Sequence, residues 1–175
     1  MRRLIPFTLV ALAALSSCQR RDKVVVQTTE EETGQAIASV VHVADPRTAP
    51  QLLSGFYDVE QNSWRWTAGK FAVSLRAPAG AARKGATLQL KGSFPEAVFK
   101  KVGSSTLEAR IGGTVVGTET LSKLGEFVFE KDVPGNLLTT NPIKVEFSLD
   151  KFLPPGTVDK RQLGIVATSI GFESK

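Results

Sequence analysis

The 175 residues are 42% apolar and 22% charged, the composition of a globular chain large enough for one core and too short for a second catalytic domain. The 15 Gly and 9 Pro are scattered without period, which excludes collagen-like and low-complexity architectures, and the single cysteine, Cys18, excludes an intramolecular disulfide framework. The formal net charge of +5, spread along the chain, is too mild and too dispersed for a nucleic-acid-binding face.

The chain opens with Met1-Arg2-Arg3 and a twelve-residue apolar run, Leu4 to Leu15. As a helix that run would span about 18 Å, short of the ~30 Å hydrocarbon core, so it reads as the h-region of an export signal. It is followed by Leu15-Ser16-Ser17-Cys18, which resembles the lipobox of bacterial lipoproteins. The resemblance implies a signal peptide over residues 1–17, cleavage before Cys18, and a diacylglycerol thioether on its sulfur. Two or three acyl chains, at about 0.8 kcal/mol per buried CH₂, anchor stably where one would not. Gln19, in place of the Asp that retains enterobacterial lipoproteins at the inner membrane, favours the outer membrane. Residues 18–35 are polar apart from Val24 to Val26. They read as a tether that cannot bury enough apolar surface to offset its ordering.

From residue 36 to 175 the pattern is one of short strands between turn residues. The expected strands are Ala36–Val43, Leu52–Tyr57, Ser63–Thr67, Lys70–Leu75, Thr87–Gly92, Ser105–Ile111, Thr114–Leu121, Gly125–Lys131, Ile143–Leu149 and Leu163–Phe172, with a short helical turn near Pro95–Lys101. Strict alternation puts Phe71, Val73 and Leu75 on one face, and does the same for Leu88 and Leu90, for Leu107, Ala109 and Ile111, and for Val145, Phe147 and Leu149. Pro78-Ala79-Gly80, Gly112-Gly113, Pro134-Gly135-Asn136 and Pro154-Pro155-Gly156 provide the reversals. Short strands at this spacing predict an all-β fold, an antiparallel two-sheet β-sandwich or a barrel.

Gly55-Phe56-Tyr57, Glu60 and Trp64-Arg65-Trp66-Thr67, followed near the end by Asp150, Pro154-Pro155-Gly156, Asp159, Arg161 and Leu163-Gly164, resemble a small jelly-roll domain of the galactose-binding-like type. Such domains occur beside bacterial glycosyltransferases and as stand-alone envelope proteins. The wider fold group includes many carbohydrate-binding modules, so the resemblance implies sugar binding without placing a binding residue.

Trp64 and Trp66 are two apart in a strand and share a face, with Arg65 and Thr67 opposite. The simpler expectation is that both indoles fill the core, together with Tyr57. Exposed, Trp64, Trp66 and Tyr57 would be candidates for stacking on a sugar ring. Arg65 and Arg161 are expected to find acidic partners among Glu60, Asp150 and Asp159, closing the domain as a structural latch, because an unpaired buried charge is costly. A calcium site from Asp150, Asp159 and nearby carbonyls is the lesser alternative, because only two carboxylates would serve a shell of six to eight oxygens. His42 is the only histidine, and Gly-x-Ser-x-Gly, His-Glu-x-x-His and phosphate-loop motifs are missing. No metal and no cofactor are therefore expected. Asp58 and Glu60 alone could serve as a glycosidase pair. The resulting expectation is a non-catalytic, lipid-anchored envelope protein whose domain acts as a binding or accessory module for a glycan or an envelope protein. A carbohydrate-active enzyme and a structural subunit of an envelope complex are the alternatives.

Overall fold

A computed structural model describes residues 36–157 and 159–175, which belong to one compact unit, Gly34–Lys175. Cys18, the lipobox and the tether lie outside the described residues. The domain is all-β and antiparallel, as the spacing of the strand signals predicts. Its strands are β1 (Val40–His42), β2 (Leu52–Glu60), β3 (Trp64–Leu75), β4 (Ala86–Phe94), β5 (Ser105–Ile111), β6 (Thr114–Leu121), β7 (Gly125–Val133), β8 (Ile143–Leu149) and β9 (Val166–Ser174). Two short helices, α1 (Ala81–Lys84) and α2 (Glu96–Val102), interrupt them. The helical turn expected near Pro95 is α2. Pro95 precedes it with extended backbone, and Gly103 ends it at φ 69°.

The strands form one nearly barrel-like sheet in the order β6-β5-β8-β3-β9-β4-β7, with β1 added to β9 and β2 to β3. Continuity depends on β3. Its first residues pair with β9, Arg65 opposite Ala167 and Trp66 opposite Val166, and its last six, Lys70 to Leu75, pair with β8. The sequence pattern predicts two strands here, Ser63–Thr67 and Lys70–Leu75. The chain instead runs straight through and changes neighbours at that point, because Gly69 carries no side chain and the Phe152 ring packs against it where a Cβ would overlap. The amino-terminal strand is shorter than Ala36–Val43. Ahead of Val40 the buried Gln51 side chain replaces ladder bonds, accepting from Ala38 N at 2.9 Å and donating to the carbonyls of Ala38 and Ser74 at 3.1 and 2.6 Å. At the other end Leu163 forms an isolated bridge with Leu153, and the strand proper starts at Val166.

The four alternating sets named above are all buried. Phe71 and Phe147 stack with ring centroids 5.0 Å apart and planes 11° from parallel, and Phe129 of β7 meets Phe147 of β8 edge-on at 6.1 Å. Since β7 and β8 stand far apart in the strand order, that contact shows the sheet curling over its own core. The outermost strands also approach each other. Gly117 of β6 leaves room for the Lys131 stem of β7, whose ammonium lies 3.0 Å from Glu119 of β6 and 5.0 Å from the Phe129 ring centroid.

Candidate functional site

Curling buries one face of the sheet and leaves the other to solvent. On the outer face, where β3, β9, β4 and β7 run side by side, lies an open cavity of about 760 Å³, within the range of small-ligand sites, about 300–1,000 Å³. Trp64 and Trp66 form one wall. Lys91, Ser93, Glu126, Phe127, Val128 and Thr168 supply most of the rest. The two indoles meet edge to face, centroids 6.3 Å apart and planes at 79°. They share a face, as their spacing requires, but neither is fully buried: both are half-buried, with Trp66 packed against the edge of the core. The expectation that they fill the interior is corrected by topology. At Arg65 and Trp66, β3 pairs with β9 so that Thr67, not Trp66, points inward and is buried.

Arg65 holds this segment from behind. Its Nε donates to the Val43 carbonyl at 2.7 Å and its Nη1 to the Tyr57 carbonyl at 2.8 Å. The expected acidic partner is therefore absent among the described residues. Carbonyl oxygens satisfy the guanidinium instead, which ties β3 to β2 and to the chain after β1 without burying a second charge. Asp150 likewise pairs with neither arginine. One of its carboxylate oxygens accepts from Ser105 Oγ at 2.9 Å and from Thr106 N at 2.6 Å, capping the start of β5.

The latch that does form centres on Arg161. Its Nη1 donates to Glu60 at 2.9 Å, its Nη2 to Asp159 at 2.9 Å, and its guanidinium carbon lies 5.3 Å from the centroid of the Tyr57 ring. Tyr57 Oη accepts from Gln162 N at 3.0 Å, and Gln162 Oε1 accepts from Gly69 N at 3.1 Å. Tyr57 thus belongs to the latch and not to the tryptophan cavity. Together these bonds clasp the Pro154-Pro155-Gly156 loop onto β2 and β3. Half-exposed ion pairs of this kind contribute on the order of 0.2–1 kcal/mol each, so the latch orders a loop more than it stabilises the core. Asp58, the other half of the glycosidase pair, is solvent-exposed, while Glu60 is engaged by Arg161. Among the described residues no group of three or more His, Cys, Asp and Glu stands ready to hold a metal ion.

The side-chain bond and the backbone N–H of Arg161 hold the Asp159 carboxyl below its ordinary value of 3.8. For Asp150, burial works to raise the value, but the bonds from Thr106 N–H and the Ser105 hydroxyl outweigh it, and the net direction is again downward. Both groups bind protons more weakly folded than unfolded. They therefore add stability above their unfolded pKa and lose it as pH falls through the folded one. The melting midpoint followed by circular dichroism should stay level from neutral pH to about 5 and fall steadily below about 4. An Asp150→Asn variant should melt lower at neutral pH and show a shallower acid decline. An acid limb as steep as the parent's would remove Asp150 from this account.

The residues lining the cavity opposite the tryptophans were not singled out from sequence, though a signal exists. Phe127-Val128-Phe129 breaks the alternation of β7 and puts an apolar side chain on each face. Val128, on the outer face, is 49% exposed. An outward valine beside two half-buried indoles marks an apolar surface patch.

Fold and cavity together define an all-β domain with an aromatic-walled pocket on its outer sheet face. The chain matches no protein-family model, and no curated protein matches it.

Proposed function

We propose that this chain is a lipid-anchored protein of the cell envelope whose β-domain binds carbohydrate, without catalysis, in the Trp64–Trp66 cavity. The observation that carries the reading is the indole pair itself, half-buried and mutually perpendicular in an open cavity. A pyranose presents apolar C–H faces and hydroxyl edges. Indole planes and Val128 suit the former, and Ser93, Thr168, Lys91 and Glu126 suit the latter. Among the described residues Glu126 is the one carboxylate lining the cavity, whereas glycoside hydrolysis ordinarily uses two, which supports binding over turnover. The galactose-binding-like jelly roll is part of the same proposal. It rests on the order of Gly55-Phe56-Tyr57, Trp64-Arg65-Trp66-Thr67 and Pro154-Pro155-Gly156 along the chain. Anchoring to a membrane rests on Leu15-Ser16-Ser17-Cys18, and the preference for the outer membrane on Gln19.

The full chain in detergent, applied to a glycan array, should give a saturable signal. Trp64→Ala should reduce that signal by more than about tenfold, since removing a central aromatic anchor typically costs 2 kcal/mol or more. Because Trp64 is half-buried, the same variant should keep most of its stability. A blank array, or a signal unchanged in Trp64→Ala, would remove the carbohydrate reading.

Anchoring has its own test. Cys18→Ser should lose acyl mass by mass spectrometry and leave the detergent phase. If it stays there with the parental mass shift, the lipoprotein reading is wrong.

A further inference from the structure

A second cavity, of about 230 Å³, opens on the same outer face and is lined by Val40, His42, Gln89, Ser169 and Glu173, with Gly171 adding no side chain to its floor. Lys91 lines both cavities. Strand register explains why they adjoin. His42 of β1 stands opposite Ser169 of β9, Ser169 opposite Lys91 of β4, and Lys91 opposite Val128 of β7. One cross-strand row therefore runs from the second cavity into the wall of the first. The neighbouring row, Val40, Gly171, Gln89 and Glu130, lies parallel to it, and Gln89 Nε2 is held by Glu130 at 2.9 Å. Along β9, the path from Val166 beside Trp66 to Glu173 covers seven residue steps, about 23 Å at a rise of about 3.3 Å each.

Resting on the carbohydrate reading of the tryptophan cavity, we infer that the two cavities form one continuous groove, and that the ligand is a linear oligosaccharide whose chain extends from the Trp64–Trp66 wall across Lys91 to His42 and Gln89. Two features favour this occupant. The path is longer than a single pyranose, so a monosaccharide leaves the second cavity empty. Beneath the groove β4 is paired on both edges, with β7 and β9, and β9 with β4 on one edge and with β3 and β1 on the other, so over these strands recognition must run through side chains. An extended peptide lying over β4 and β9 would find no ladder to join there. The imidazole, amide, hydroxyl and carboxylate of His42, Gln89, Ser169 and Glu173 suit a chain of hydroxyls, while the indoles anchor one end.

The full chain in detergent is titrated with two ladders of β-1,4-linked oligomers, one of glucose and one of N-acetylglucosamine, each from two to six units, and binding is followed by calorimetry. Affinity for at least one ladder should rise by about tenfold or more from dimer to hexamer. His42→Ala and Gln89→Ala should weaken the hexamer severalfold and leave the dimer unchanged, with parental melting midpoints because both side chains face outward. Trp64→Ala should weaken every length. Equal affinity for dimer and hexamer, or no effect of the His42 and Gln89 variants on the hexamer, overturns the groove while leaving the tryptophan site standing. If neither ladder binds, the groove is also wrong, and a blank glycan array in addition takes the carbohydrate reading with it.

Discussion

Phe147→Ala should cost the domain about 3–5 kcal/mol, the usual penalty for emptying a buried aromatic site. Its ring is 2% exposed, stacks on Phe71 and receives the edge of Phe129. It therefore joins β3, β8 and β7, and its removal opens a void at the place where the sheet closes over itself. Each aromatic pair adds about 0.5–1.5 kcal/mol beyond area burial, so the loss should lie toward the upper end. For a domain of this size the melting midpoint should fall by roughly 12–20 °C, at about 3–4 °C per kcal/mol. Phe147→Leu should recover part of the loss, because it restores volume without the ring contacts. A Phe147→Ala loss under about 1 kcal/mol in urea titration would show that the curled core is not organised around this ring.

Gly55→Ala should be the most damaging single-methyl addition in β2. Gly55 adopts φ 74°, where an L side chain is strained, and an added Cβ would overlap the Lys70 carbonyl and stand 2.7 Å from Phe71 Cα. Strain alone is worth about 1–3 kcal/mol. The obstacle is backbone of the central strand β3, which cannot turn aside as a side chain could. Register shifts on both sides of Gly55 mark the same feature, since β2 crosses β3 through a series of irregular pairings. A midpoint within about 2 °C of the parent would mean that β2 relaxes away from β3 without penalty. Because Tyr57 and Glu60 of β2 contribute to the Arg161 latch, weakening of β2 should also loosen the loop around Pro154-Pro155-Gly156, visible as faster amide exchange at Gln162.

Local chemistry wrote much of the fold into the sequence. Alternation in β4, β5 and β8 identifies both the strands and their buried faces, because a period-two pattern on a half-buried sheet admits one register of inside and outside. Gly112-Gly113 separates β5 from β6, and Pro95 with Gly103 delimits α2. That Arg161 should find an acidic partner among Glu60, Asp150 and Asp159 also follows from charge chemistry, whereas the choice of Glu60 and Asp159 is made by the fold. Strand partners were not legible. Whether Ser63–Thr67 and Lys70–Leu75 form one strand depends on β8 and β9, which lie about 70 and 100 residues further on and offer their edges to β3 in succession. That handoff decides the fate of the tryptophans. Spacing alone puts Trp64 and Trp66 on a common face, but only the pairing of β3 with β9 turns that face outward toward Lys91 and Val128. Arg65 makes the same point from the other side. Its need for a partner is visible in the sequence, yet two carbonyls meet it, because backbone acceptors carry no side-chain signature and appear only when distant segments pack together.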